Sequence, residues 1–277
     1  MTAAEIQLLK NKRKITALTA YDYPTANLVD KAGIDIVLVG DSLANVVLGL
    51  ESTKQVGMTE MLYHTKAVRR AVKNALLVAD MPFDSYQPNP SEPVENALRF
   101  KNEAGAEAVK VEWFERCPEV TKQIIKAGIP VMGHIGLTPQ TADKIGGFKV
   151  QGKDAQSAKN LIEQAKIIEE SGCFSLILEC VPDKISELIT KKIKIPTIGI
   201  GAGVFCDGQI LVINDMLGLF EHSPKFAKKY VNLSELILKA IEGFKKDVTE
   251  KKFPAQEHSF SIKEAELKKI NEEEETA

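Results

Sequence analysis

Basic charge is not in excess in this chain: 36 Lys and Arg stand against 38 Asp and Glu, a net charge of −2. Without the positive surplus that neutralising a phosphate backbone requires, no nucleic-acid partner is expected. Closely spaced cysteines are missing too. Cys117, Cys173, Cys180 and Cys206 form no C-x-x-C pair, and each lies in or beside an apolar segment. They read as reduced thiols and predict a reducing, cytoplasmic setting. Long apolar runs are also absent. The N-terminus alternates Ile6, Leu8 and Leu9 with Glu5, Lys10 and Lys12, so neither a signal core nor a membrane span is expected.

What the chain does contain is alternation. At 277 residues it is long for an ordinary domain, yet α/β barrels reach this size as one unit. Eight short apolar, β-branched runs recur, at residues 14–21, 34–41, 75–83, 108–114, 130–135, 175–181, 196–201 and 210–213. Runs that are continuously apolar belong to strands buried on both faces, as parallel strands are. Between them, residues 61–78 show a helical period, with Leu62, Ala67, Val68, Ala71 and Val72 opposite Lys66, Arg69, Arg70 and Lys73. Ser91-Glu92-Pro93-Val94 opens another helix, with Ser as cap and Pro in the first turn. Gly33 and Gly128 each end a helix just before a strand. This order predicts a (β/α)8 TIM barrel, with a doubly wound open sheet as the alternative. The connection 202–209 is too short for a full helix. Residues 1–262 are expected to form this single barrel domain with an N-terminal helical extension, residues 233–244 supplying a closing helix. Residues 263–277, with Glu272 to Glu275, are expected to form a charged, solvated tail.

Three motifs point elsewhere and fail on inspection. Gly147, Gly152 and Lys153 match a phosphate-binding loop until Asp154 stands where Ser or Thr would bind Mg²⁺, and no strand precedes it. Gly40-Asp41-Ser42-Leu43 spells the signature of a serine esterase family, but none of His64, His134, His222 and His258 has an Asp three residues before it. Ser42 reads better as a donor to a substrate carboxylate. Gly199-Ile200-Gly201-Ala202-Gly203 lacks the third glycine of a dinucleotide loop at its proper spacing and fits a close turn at the barrel rim.

The chemistry is carried by recurrence. Asp41, Asp80, Glu112 and Glu179 each end an apolar run, the second, third, fourth and sixth. Strand ends of a parallel barrel converge on one rim, and barrels carry catalysis there. Asp41, Asp80 and Glu112 follow consecutive strands and would repel one another without a cation, so they are the expected Mg²⁺ ligands. Mg²⁺ leaves positions for a chelating 2-oxo acid, whose ketone it polarises, acidifying the neighbouring C–H and stabilising an enolate. Lys110, two residues before Glu112, shares its inward face and can hold the oxyanion or the carboxylate. Glu179, across the barrel, is the expected general base, desolvated by Leu178, Cys180 and Val181. His134 is a second inward polar group, either a substrate donor or a buried, satisfied histidine.

Eight ordered blocks resemble one family. They are Tyr21-Asp22-Tyr23-Pro24, Gly40-Asp41-Ser42-Leu43, Ala79-Asp80-Met81-Pro82-Phe83, Val109-Lys110-Val111-Glu112, Gly133-His134-Ile135-Gly136-Leu137-Thr138-Pro139-Gln140, Gly146-Gly147-Phe148-Lys149-Val150-Gln151-Gly152, Leu178-Glu179-Cys180-Val181-Pro182, and Ile198-Gly199-Ile200-Gly201-Ala202-Gly203 followed by Asp207-Gly208-Gln209. From about residue 14 to 260 the chain is similar to the ketopantoate (3-methyl-2-oxobutanoate) hydroxymethyltransferase family. The resemblance implies a barrel of the phosphoenolpyruvate/pyruvate superfamily, assembled as a homodecamer. It implies transfer of a hydroxymethyl group from 5,10-methylenetetrahydrofolate to 3-methyl-2-oxobutanoate, the first step of pantothenate and coenzyme A biosynthesis. It places Mg²⁺ on Asp41, Asp80 and Glu112, the 2-oxo acid on Asp41, Ser42, Asp80 and Lys110, and the proton on Glu179. Two features depart from the family: Lys54-Gln55 stands where relatives usually carry Leu-Pro, and the acidic extension past Ile262 is longer than usual.

Overall fold

The computed structural model describes residues 1–87, 92–143 and 146–274, with side chains through Ile270. The eight runs become strands: β1 (Ile15–Thr19), β2 (Ile36–Val39), β3 (Leu76–Asp80), β4 (Ala108–Glu112), β5 (Val131–Gly136), β6 (Ser175–Glu179), β7 (Thr197–Ile200) and β8 (Gly208–Leu211). They pair in parallel, in chain order, and β8 returns to β1, so the barrel is closed and the open-sheet alternative is excluded. Several runs overreach their strands because apolar residues continue into the loops that wall the mouth. The eighth run is shifted instead: β8 starts at Gly208 and Ile213 already begins a helix. The short connection before it holds no helix, and Gly208 lets the neighbours close, since a Cβ there would lie 2.5 Å from the Ile15 carbonyl oxygen.

The helices are α1 (Ala3–Gln7), α2 (Tyr23–Lys31), α3 (Leu43–Val46), α4 (Met58–Ala71), α5 (Pro93–Ala104), α6 (Cys117–Lys126), α7 (Ala155–Glu170), α8 (Asp183–Lys192), α9 (Ile213–Leu217), α10 (Leu233–Thr249) and α11 (Glu264–Glu274). The period read over 61–78 belongs to α4 only as far as Ala71, because Val72 turns extended and Leu76 starts β3. Pro93 sits in the first turn of α5, while Ser91 lies outside the described residues. Gly33 and Gly128 follow α2 and α6 with φ of 76° and 81°, the left-handed conformation that a side chain disfavours.

Side chains alternate between two apolar layers. Ile36, Leu38, Leu76, Val78, Ala108, Met132, Ile177 and Ile210 fill the barrel, whereas Val37, Val39, Leu77, Ala79, Val109, Val111 and Leu176 pack beneath the helices. The same period of two, carried one step past the apolar residues, aims Asp80, Lys110, Glu112, His134 and Glu179 inward at the carboxyl ends of their strands. At the opposite end Ile6 of α1 plugs the barrel, fully buried against Ile15 and its neighbours.

Carboxylates at that lower end are structural. Asp30 accepts the backbone N–H groups of Lys73 (3.1 Å), Asn74 (2.9 Å) and Ala75 (2.9 Å), and the Asn74 side-chain amide (3.0 Å). Burial opposes its charge, but these donors outweigh burial and hold its carboxyl below the usual range. A depressed folded pKa stabilises above the unfolded value and is lost as pH falls through the folded one. Asp30→Ala strands three backbone donors and is expected to cost about 3 kcal/mol at pH 7, less at pH 3, in urea unfolding. A loss below about 1 kcal/mol at pH 7 would contradict this account.

The region expected to close the barrel does otherwise. α10 runs to Thr249 and buries none of its residues. Leu236, Ile237, Leu238, Ile241, Phe244 and Val248 stand 43–60% exposed, because the apolar stripe that would face a barrel meets none here. Among the described residues no helix is long and apolar enough to cross a membrane.

Candidate active site

The inward residues at the strand ends line a cavity of about 440 Å³. Asp41, Ser42, Asp80, Lys110, Glu112, His134 and Glu179 all border it, so every residue singled out from the sequence is brought to one place. Gly40 makes room for them at an inward position, where a Cβ would lie 2.8 Å from Ser42 Oγ and 3.4 Å from Asp80 Oδ2. The Asp41 backbone N–H donates to Asp80 Oδ2 at 3.0 Å. Lys110 Nζ lies 2.7 Å from Asp80 Oδ1, 3.9 Å from Glu112 Oε1 and 3.3 Å from His134 Nδ1. His134 in turn sets Nδ1 3.5 Å from Glu112 Oε1 and Nε2 3.3 Å from Glu179 Oε2. The polar groups thus form a chain around the rim, from β3 to β6, and Glu179 is joined to the other acids by a histidine.

Burial sets the electrostatics. Asp41 is pushed well above the usual carboxylate range by desolvation and by the charges of Asp80 and Glu112, with Lys110 and Gln140 opposing. Asp80 is also raised by burial, against Lys110. Burial works against the Lys110 charge as well, but Asp80, Glu112 and Asp41 more than offset it and raise its pKa. His134 behaves alike: burial and Lys110 disfavour its charge, yet Glu112 and Glu179 push its pKa up to about 9. The imidazole thus lies within ion-pair distance of both carboxylates, which favours its charged form, although neither contact closes a hydrogen bond.

The three acids expected to grip a cation are not drawn into a cage. Among the described residues no three His, Cys, Asp or Glu side chains lie close enough to hold a metal ion as they stand. The Lys110 ammonium sits among them, and Gln140 Nε2 holds Asp41 Oδ2 at 2.8 Å. Gln140 was not assigned a role from the sequence, although its backbone N–H also donates to Glu112 Oε2 at 3.1 Å. Tyr21, whose hydroxyl lies 2.8 Å from Ser42 Oγ, was missed in the same way. Both lie within blocks that resemble the family, but strand periodicity does not mark either, because each stands beyond a strand end, Tyr21 after β1 and Gln140 in the turn after β5.

The misleading motifs resolve locally. Asp154 is the N-cap of α7 and accepts from Gln156 N and Ser157 N, so it is there to start a helix. Gly201 and Gly203 adopt φ of 63° and 79° in the close turn after β7. The Lys54-Gln55 departure builds a compensating turn, Thr53–Gln55, in which Gln55 Oε1 accepts from Ser52 N at 3.0 Å and Lys54 pairs with Asp143 at 2.9 Å.

A closed parallel barrel that gathers acids, a lysine and a histidine at the carboxyl ends of its strands is a (β/α)8-barrel enzyme. Solved barrels of this architecture include phosphoenolpyruvate phosphomutase from Streptomyces platensis subsp. rosaceus, with a TM-score of 0.61, 15% identity and coverage of 100% of this chain and 98% of that one. Phosphonopyruvate hydrolase in complex with oxalate and Mg²⁺ aligns with a TM-score of 0.56 and 14% identity over 100% of this chain and 98% of that one. At these identities the likeness is one of fold. The model of the ketopantoate hydroxymethyltransferase family matches residues 1–256. The 3-methyl-2-oxobutanoate hydroxymethyltransferase of Clostridium botulinum (strain Langeland / NCTC 10281 / Type F) is 55% identical over 271 residues, 97% of this chain and 98% of the relative. The chain belongs to the ketopantoate hydroxymethyltransferase family and is a transferase.

Proposed function

We propose that this chain transfers a hydroxymethyl group from 5,10-methylenetetrahydrofolate to 3-methyl-2-oxobutanoate, giving 2-dehydropantoate, the first step toward pantothenate and coenzyme A. The observation that carries the reading is the rim chain of Asp80, Lys110, His134 and Glu179 within one cavity.

The donor set suits a divalent cation. Four carboxyl groups face two cations, Lys110 and His134, which leaves two negative charges to offset when all are ionised. Asp80 Oδ1 and Glu112 Oε1 are buried and accept no hydrogen bond, the 2.7 Å contact of Lys110 with Asp80 being ionic but misaligned. Asp41, Asp80 and Glu112 would hold Mg²⁺, which when bound polarises the substrate ketone and offsets charge on its oxygen. Lys110 and Ser42 receive the carboxylate of the 2-oxo acid. Glu179, 15% exposed, takes the C3 proton, and His134 fixes the orientation of its carboxylate from 3.3 Å. The enolate carbon then bonds to the methylene carbon. Both methylene C–N bonds break, water supplies the hydroxyl, and the two folate nitrogens take up the protons released from C3 and water.

Incubating the chain with Mg²⁺, 3-methyl-2-oxobutanoate and methylenetetrahydrofolate should form 2-dehydropantoate. Turnover of the 2-oxo acid without folate would instead mark a lyase and sink the reading. We extend the proposal to a cytoplasmic homo-oligomer, a decamer by family resemblance, supported by free cysteines and by the uncovered apolar residues of α10. Sedimentation of the full chain as a monomer would overturn that part.

A further inference from the structure

With four acids, Lys110 and His134 assigned to the 2-oxo acid, one carboxylate in the cavity has no role. Asp215, on α9 just beyond β8, lines the same wall-to-wall space as Glu179 and Lys110. Among the described residues its side chain makes neither a hydrogen bond nor an ion pair, Lys229 acting only from a distance. Burial raises its pKa against that lysine, the condition of a carboxylate that has lost water without gaining donors. Its position is held: Ile213 N donates to Thr19 Oγ1 at 3.0 Å, and Asn214 Nδ2 to the Val46 carbonyl at 3.4 Å, so α9 is tied to β1 and α3.

The rest of this part of the cavity differs in character from the acid-rich rim. Phe226 lies against Gly201, where a Cβ would be 2.9 Å from its ring, and Phe148 stands 73% exposed on the opposite loop. Thr53 Oγ1 is buried with no hydrogen-bond partner and also faces the cavity. Lys149 and Lys225 are exposed at its mouth. An unpaired carboxylate repels a 2-oxo acid, so Asp215 faces the other substrate.

We propose that this part of the cavity is the pterin subsite, in which Asp215 accepts hydrogen bonds from the N3–H and 2-amino group of the reduced pterin, with the ring against Phe148 and Phe226. The inference rests on the folate-dependent transfer read above. A 2-amino-4-oxopyrimidine edge presents two adjacent N–H donors at the spacing of the two carboxylate oxygens, which makes a partnerless carboxylate its complement. The buried Thr53 hydroxyl offers one more polar contact to the ring, and Lys149 and Lys225 meet the anionic glutamyl tail.

Asp215→Asn keeps the size of the side chain and removes the charged acceptor. It is expected to raise the KM for methylenetetrahydrofolate about 10- to 100-fold and to weaken calorimetric binding of tetrahydrofolate in step. The KM for the 2-oxo acid, and deuterium exchange at its C3 without folate, should stay within about twofold. On the unaltered chain a 2-desamino-2-methyl analogue should bind about tenfold or more weakly than tetrahydrofolate, and that gap should close in Asp215→Asn. An unchanged folate KM, a gap that persists, or loss of C3 exchange in the variant each overturns the subsite. Failure of the underlying reading looks different, because the unaltered chain would then form no product when folate is supplied.

Discussion

Glu179→Gln is expected to slow exchange of the C3 proton of 3-methyl-2-oxobutanoate with deuterated solvent by about 10²- to 10⁴-fold, the range a positioned general base supplies. The amide keeps the shape of the side chain and can still meet His134 Nε2, which lies 3.3 Å from the carboxylate. Binding of Mg²⁺ and of the 2-oxo acid should therefore survive, since Asp41, Asp80, Glu112 and Lys110 are untouched. What is lost is a group able to accept the proton. The measurement is proton NMR of the substrate in heavy water, with calorimetry as the binding control. Exchange within about tenfold of the unaltered chain would remove Glu179 from its role. Unchanged exchange would leave His134 as the rim group to test next.

Lys110→Met should give the largest loss of stability of any single change at the site. The lysine is buried, 2.7 Å from Asp80, 3.9 Å from Glu112 and 3.3 Å from His134. Methionine fills similar space but leaves the buried acids without their nearest cation, a change that typically costs 3–5 kcal/mol. The sign of its pH dependence follows from the carboxyl groups. Asp41 and Asp80 already have folded pKa values raised above normal, chiefly by burial. Raised carboxyl groups contribute stability that is present below the unfolded pKa and lost as pH rises through the folded one. Without Lys110 those values climb further, so in chelator-treated protein the deficit should be larger at pH 8 than at pH 5. Added Mg²⁺ should recover part of it at pH 8. Urea midpoints at the two pH values, with and without Mg²⁺, test this. A deficit independent of pH would mean that lost packing, and not stranded charge, is responsible.

Aspartates occupy both ends of the strands, and position along the strand separates their roles. Asp35, at the start of β2, accepts from Thr16 N and pairs with Arg13 at 2.6 Å. Asp207, before β8, pairs with Lys10 at 2.7 Å and accepts from Thr197 N at 2.9 Å. Both are satisfied staples at the lower end, as Asp30 is. Asp41, Asp80 and Glu112 come at the other end, where oxygens remain without hydrogen bonds. An acid before an apolar run and one after it look alike in composition. Only the direction of a parallel strand tells them apart, and that direction is already implied once the barrel is recognised.

Much of this protein is decided locally. Eight continuously apolar runs spaced by helical stretches commit the chain to parallel strands, and a period of two aims Asp80, Glu112 and Glu179, together with Lys110 and His134, at one volume, whereas Asp41, one residue past the inward Gly40, is brought there by the turn after β2. These features need only neighbours in the chain. Other features depend on residues distant in sequence and meet only when the barrel closes. Gln140 reaches Asp41 across the mouth, Tyr21 reaches Ser42, and Asp215 is carried to the cavity by a short helix tied to β1 and α3. The Lys110 ammonium among the acids, and the histidine joining Glu179 to them, are likewise tertiary. A side chain's inward aim is set by backbone alternation, but its partner, its burial and therefore its charge are set by what the closed ring places against it.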